Sequence, residues 1–281
     1  MKKICTAIFL YAAFITVVSG QSDLLIPVST QNTDLIFKVG NDHRLYQVYY
    51  GPKLLQTPDG KTFPRPTHLA YVTSGTDNLF EPAVRITHSD GNPSLELNYV
   101  SHLAEKSDEN VTITRIRLKD PQYPVEVILH FKAFARETVL EQWVEIVHQE
   151  KNPVTVYNYA SSLLHFDAPK YWLTQFHGDW AEEMKMQENE LTSGIKILDS
   201  KLGTRAHMYQ TPVFFLSLNE KSDENSGELV AGTLGWSGNF RFLFEVDEKN
   251  SLRVISGINP YASEYSLQPG KSFITPSFIF T

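Results

Sequence analysis

The chain is almost without cysteine: its 281 residues hold one, Cys5. That residue lies in an N-terminal stretch with a positive start at Lys2 and Lys3. An apolar run from Ile8 to Val18 follows, and the small residues Val18-Ser19-Gly20 precede Gln21. This is the pattern of a secretory signal peptide over residues 1–20. Its apolar run is shorter than the roughly 20 residues a membrane-spanning helix needs. No later segment approaches that length, so no membrane contact is expected after signal cleavage. Removing residues 1–20 takes two Lys and no acid from a formal charge of −7, which leaves −9 on 261 residues. The expected mature chain, residues 21–281, has no thiol, which excludes disulfides, cysteine nucleophiles and cysteine-based metal sites. A periplasmic or secreted location is expected, with stability supplied by the core alone.

Clustered positive charge is also missing. Lys and Arg number 25 against 32 Asp and Glu, and no basic run offers neutralisation to a row of phosphates, so nucleic acid is excluded as a partner. The nine His are scattered. No His-Glu-x-x-His and no Gly-x-Ser-x-Gly occurs. Gly232, Gly235 and Gly238 are spaced Gly-x-x-Gly-x-x-Gly around Trp236, but no helix is expected after them to present its N-terminus to a phosphate. Turn geometry is the expected reason for these glycines. No cofactor is expected.

What is present is period-two alternation. Val125, Val127, Leu129, Phe131 and Ala133 alternate with Glu126, Ile128, His130 and Lys132; Phe240, Phe242, Phe244 and Val246 alternate with Arg241, Leu243, Glu245 and Asp247. Each run reads as a strand with one face buried. Shorter stretches at 35–39, 111–118, 139–147, 154–160, 195–199, 213–217, 229–234 and 272–281 are likewise rich in β-branched and aromatic residues. Turn signals separate them at Asp59-Gly60, Asp90-Gly91, Asn152-Pro153, Ser226-Gly227, Ser237-Gly238-Asn239 and Pro269-Gly270. The helical candidate is 179–191, with Trp180, Met184 and Leu191 among acids, and its apolar stripe is thin. Without a βαβ rhythm, the pattern gives an all-β, antiparallel sandwich in a single domain.

The densest chemistry is His177-Gly178-Asp179-Trp180-Ala181-Glu182-Glu183. As metal ligands, His177, Asp179 and Glu183 match no standard zinc or calcium spacing. As a sugar site, Trp180 offers a flat apolar face to a pyranose, with carboxylates to accept hydroxyl protons. A buried structural Trp flanked by solvated acids is the plainer reading, and the residues alone leave both open. The acid pairs Glu182/Glu183 and Asp223/Glu224 are adjacent, which on strands sends them to opposite faces and fits a surface role better than a glycosidase couple.

Several segments, in order, resemble the N-terminal domain of α-galactosidases of glycoside hydrolase family 36. His177 to Glu183 is similar to that family's Gly-x-Trp-Ala-Arg-Glu stretch. Ser200 to His207, followed by Thr211-Pro212-Val213-Phe214, resembles Ser-x-x-Gly-x-Ser-Ser-His and Asn-Pro-Phe. Gly235 to Phe240, Gly257-Ile258-Asn259-Pro260 and Leu267 to Pro276 resemble Tyr-Ser-Gly-Asn-Phe, Gly-Ile-Asn-Pro and Leu-x-Pro-Gly-x-x-Phe-x-Thr-Pro. Gly75 to Ala83 is more loosely similar to Gly-x-Gly-Asp-Phe-Arg-x-Pro-Ala.

The resemblance implies a large antiparallel β-supersandwich that precedes a (β/α)₈ barrel. It further implies retaining hydrolysis of terminal α-linked galactose in melibiose- or raffinose-type sugars, with both catalytic Asp residues on barrel loops. Trp180 then borders the sugar, and Asp77 reaches a galactose site across a homo-oligomer interface. The catalytic barrel is the expected partner, and Thr281 falls where it is expected to begin. Two departures stand out: Glu182 occupies the place of the family's Arg, and Asn78-Leu79-Phe80 replaces Phe-Arg after the Asp. A free-standing carbohydrate-binding or subunit-assembly module is the alternative.

Overall fold

The computed structural model describes residues 24–56, 58–59, 61–63, 66–75 and 78–281. The expected signal at 1–20 and the candidate sugar contact Asp77 lie outside the described residues.

The strands run, in chain order, β1 (Leu25–Ser29), β2 (Thr33–Val39), β3 (Leu45–Pro52), β4 (His68–Leu69), β5 (Val84–Thr87), β6 (Asn98–Lys106) and β7 (Val111–Lys119). Next come β8 (Val125–Phe134), β9 (Val139–His148), β10 (Val154–Asp167), β11 (Tyr171–His177), β12 (Lys185–Leu191), β13 (Gly194–Asp199) and β14 (Gln210–Leu218). The series ends with β15 (Glu228–Leu234), β16 (Phe240–Val246), β17 (Ser251–Ile258), β18 (Tyr265–Leu267), β19 (Ser272–Ile274) and β20 (Phe278–Phe280). Among the described residues the helical element is one short 3₁₀ turn, Gly203–Arg205.

These strands form three antiparallel sheets. Four strands pair in the order β1-β2-β3-β4. A six-stranded sheet runs β13-β16-β17-β10-β18, with β5 also on β10. A ten-stranded sheet runs β12-β11-β14-β15-β20-β9-β8-β7-β6, with β19 also on β9. The alternation at 125–133 produces β8, where Val125, Val127, Leu129, Phe131 and Ala133 are buried.

One apolar cluster ties the sheets together. Phe214 of β14 lies 5.2 Å from Phe242 and 5.0 Å from Phe244 of β16, edge-on to both, which joins the ten- and six-stranded sheets. Phe37 of β2 meets Phe131 of β8 at 5.1 Å, and Tyr50 of β3 meets Phe166 of β10 at 5.8 Å. The four-stranded sheet therefore packs on both of the others.

Gly232 lies within β15 rather than in a turn. A Cβ there would sit 2.5 Å from Phe214 Cζ and 2.8 Å from Phe278 Cζ, so the glycine makes room for two rings. Turn geometry is not its reason, although Gly91, Gly227 and Gly270 do adopt the positive φ their turns require. The helical candidate at 179–191 is instead a turn followed by β12, because Lys185 to Leu191 pairs in register with β11. Residues 272–281 form two short strands, β19 and β20, rather than one.

Gly232→Ala overpacks the Phe214 pocket and is expected to cost about 1–3 kcal/mol. Phe214→Ala empties that pocket and is expected to cost about 3–5 kcal/mol. Urea unfolding followed by fluorescence checks both; a Gly232→Ala midpoint equal to wild type would contradict the packing role.

Candidate functional site

The β11–β12 connection holds the densest chemistry. Gly178 donates its N–H to the Tyr209 carbonyl at 3.1 Å, and a Cβ on it would lie 2.4 Å from the Glu182 carbonyl O. Only glycine fits that approach. Asp179 and Glu182 exchange backbone bonds of 3.3 and 3.0 Å. Asp179 Oδ1 accepts the Trp180 N–H at 2.7 Å, as short polar side chains do in turns.

Trp180 stands at the apex of this closed turn with 86% of its surface exposed. The buried structural reading of Trp180 is therefore corrected, because its indole faces solvent. Glu182 pairs with Lys185 at 2.6 Å, both well exposed. The acid in the place of the family's Arg thus brings its own cation, which offsets the reversed charge; an exposed pair of this kind adds little stability. Glu182 and Glu183 lie on a turn rather than a strand, and both are exposed. Asp223 spends Oδ1 on the N–H groups of Asn225 and Ser226, which hold its carboxyl below the usual range. The surface role expected for these acids fits their exposure, although turns and not strand faces place them there.

Three further loops meet at the same end of the fold, joined by two asparagines. Asn239 accepts the Gly203 N–H on its side-chain oxygen at 2.7 Å, and its carbonyl accepts the Asn259 N–H at 3.0 Å. Asn259 Nδ2 donates to the Ser200 carbonyl at 3.0 Å and to Asp199 Oδ2 at 3.2 Å. Its own oxygen accepts the Tyr261 N–H at 3.0 Å. Asn259 is buried, so these bonds are expensive to lose. Nothing in the sequence separated the two asparagines from ordinary turn residues; their place in runs that resemble the family was the one signal. Trp236, Met208, Tyr209 and Met184 are exposed on these loops.

Asn78 to Ala83 runs beside the six-stranded sheet. The Arg253 guanidinium lies 3.4 Å from the centre of the Phe80 ring and pairs with Glu245 at 3.2 Å and Asp247 at 3.3 Å. The Glu81 N–H donates to Glu245 at 3.2 Å. Burial alone would raise the Asp247 carboxyl, but the N–H groups of Ser251 and Lys249 together with Arg253 hold it below its ordinary value. Phe80, in the segment where the family has an Arg, is thus the lid on a cation supplied by β17. No group of three or more His, Cys, Asp or Glu suited to a metal ion occurs among the described residues.

Residues 43–268 match the family model described as the glycosyl hydrolase family 36 N-terminal domain. The chain belongs to this family. It is 26% identical to α-galactosidase AgaA of Geobacillus stearothermophilus over 79% of this chain and 32% of AgaA. With α-galactosidase Mel36A of Lactobacillus acidophilus the identity is 25%, over 74% of this chain and 30% of the relative. The chain thus spans about a third of the length of these curated relatives. The crystal structure of AgaA superposes with a TM-score of 0.85 at 22% identity, covering 92% of this chain and 40% of that one. The α-galactosidase of Lactobacillus brevis gives a TM-score of 0.83 over 92% and 39%. These superpositions show that the all-β, antiparallel sandwich is the fold of the family's N-terminal region.

In this family 36 domain, four of the segments that carry the resemblance gather at the loop end just described: 177–183, 200–207, 235–240 and 257–260. A further segment, 267–276, lies along β9, where Thr275 Oγ1 accepts the Val144 N–H at 2.9 Å.

Trp180→Ala is expected to leave unfolding free energy within about 0.5 kcal/mol of wild type, since the indole is exposed. Asn259→Ala is expected to cost about 1–3 kcal/mol through its orphaned partners. Denaturant titration of both variants checks this contrast.

Proposed function

We propose that this chain is the β-sandwich part of an exported α-galactosidase, with Trp180 framing the sugar site. The observation that carries the reading is the exposed indole on a tightly closed turn, at the end where the family-matched segments gather. The turn is closed by the paired backbone bonds of Asp179 and Glu182, and an exposed flat ring suits the apolar face of a pyranose. Structures of AgaA variants hold raffinose and stachyose, and the same class of α-galactoside is the substrate proposed here.

In this reading the catalytic carboxylates belong to a barrel outside these residues, and this domain supplies binding surface and support for a homo-oligomer. Asp77 is proposed as a second sugar contact, reached across the oligomer interface. Residues 1–20 are proposed as a cleaved signal that sends the chain to the periplasm or exterior. The acid pairs within the sandwich do not supply an alternative catalytic centre, since Glu182 is held by Lys185 and Asp223 by its own turn.

The purified chain is expected to release no aryl group from an aryl α-galactoside and to show no heat of binding with galactose, melibiose or raffinose. Turnover that disappears when the chain's own acids are changed would overturn the proposal. Binding that is lost in Trp180→Ala would instead favour a free-standing carbohydrate-binding module.

A further inference from the structure

His88 follows β5 with its side chain completely buried. Its Nδ1 lies 2.7 Å from Glu150 Oε1, and its Nε2 lies 2.8 Å from the Ser94 carbonyl oxygen. A carbonyl oxygen can only accept. Glu150 is a carboxylate: burial alone would raise it, but the hydrogen bonds from His88 and the Ser89 N–H hold it below its ordinary value. The Ser89 bond to Oε2 is 2.9 Å. Both ring nitrogens therefore face acceptors, and both must donate.

The ring's surroundings suit a cation. Tyr123 stacks on the imidazole at 3.6 Å between centres and 11° between planes, which offers its π face to the charge. Tyr123 is itself pinned, since its hydroxyl donates to Asp90 and accepts from Asn92, each at 2.9 Å. Its N–H donates to Asp120 at 2.8 Å. The neighbouring His148 shows the opposite pattern: Nε2 donates to the Leu267 carbonyl and Nδ1 accepts the Glu150 N–H at 3.3 Å, as a neutral imidazole does.

We infer that His88 is a buried imidazolium, and that its pair with Glu150 is a pH-sensitive lock holding residues 89–95 in place. That loop closes on His88 through the His88 N–H to Asn92 carbonyl bond of 2.8 Å and the Gly91 N–H to His88 carbonyl bond of 2.9 Å. Beyond it the Leu95 N–H reaches the Ser74 carbonyl at 3.1 Å. Gly75 is so close that a Cβ would lie 2.5 Å from Ser94 Cα. The loop forms one wall of a cavity of about 320 Å³, lined also by Arg44, Gly75, Glu96, Asp120 and Tyr123. His88 acts through the loop and is a positioning residue for that wall.

The titratable and charged groups that face the pair are Glu150 from the β9–β10 turn, His148 from the end of β9, Tyr123 from the β7–β8 turn and Asp90 behind its hydroxyl. Arg44, Glu96 and Asp120 stand on the cavity side. Because the Glu150 carboxyl is lowered in the fold, the lock's stabilisation is complete above the ordinary carboxylate value. It fades as pH falls through the lowered one.

Two measurements test this. Nitrogen-15 NMR of the intact wild-type chain at neutral pH is expected to show a bonded proton on each ring nitrogen of His88, and on one only of His148. A single ring proton on His88 would overturn the inference, whether or not any variant folds. Unfolding of wild type and Glu150→Gln is then compared from about pH 3 to about pH 9. The expected gap is about tenfold or more in the folding equilibrium near neutral pH, closing to within about twofold at the acid end. A gap that stays constant with pH would mark a merely steric role and would also overturn it.

Discussion

The contact on which the sandwich depends is Phe214 seated over Gly232. Phe214 lies on β14 and reaches across to Phe242 and Phe244 of β16, and it stacks at 6.2 Å on Phe278 of β20 within its own sheet. One ring thus locks the ten-stranded sheet to the six-stranded sheet, and it lies flush because β15 carries no side chain at that place. Leaving out a side chain is as much a packing decision as adding one. A protein without a disulfide in the sandwich has to secure its layers through such contacts, since buried apolar area is its main stabilising term.

Several charged and amide groups inside this core are paired, while Arg253 Nη2, His165 Nδ1 and the Ser161 and Ser256 hydroxyls are buried without a hydrogen-bond partner. Arg253 is buried between two carboxylates and beneath the Phe80 ring. Gln47 of β3 exchanges both amide atoms with the backbone of His165, at 3.0 and 2.8 Å, which fixes how the four-stranded sheet meets β10. Unpaired, each of these groups would cost several times what its pairing returns. His165, in the same place, is driven down to about 3 by burial and stays neutral. His88 differs in that both of its ring nitrogens face acceptors.

The loop end illustrates a division of labour among residues that resemble the family. Gly178 ties the loops through its backbone, while Asn239 and Asn259 spend their side chains on neighbouring backbone groups and, for Asn259, on Asp199. Trp180 is presented outward, with Trp236 and Tyr209 exposed nearby, on a turn closed by Asp179 and Glu182 and by the close approach at Gly178.

Period-two alternation was enough to place β8, β9, β15 and β16, because those strands have one face in the core and one less buried. The same reasoning stopped short on β10, whose residues from Tyr159 to Phe166 are buried on both sides, and it missed β17, where Leu252 to Gly257 are buried without a break. A strand covered on both faces has no alternation to read. The exposed acids at 179–191 looked helical because a strand edged by solvent, like a helix surface, carries many charges; only pairing with β11 distinguishes them. By itself the sequence determined the all-β class, most turns and the chemical character of the Trp180 segment, since these follow from local pattern. The tertiary structure alone decided that Trp180 is exposed, that Gly232 serves a ring and that His88 meets two acceptors. Those facts depend on residues far apart along the chain, which only packing brings into contact.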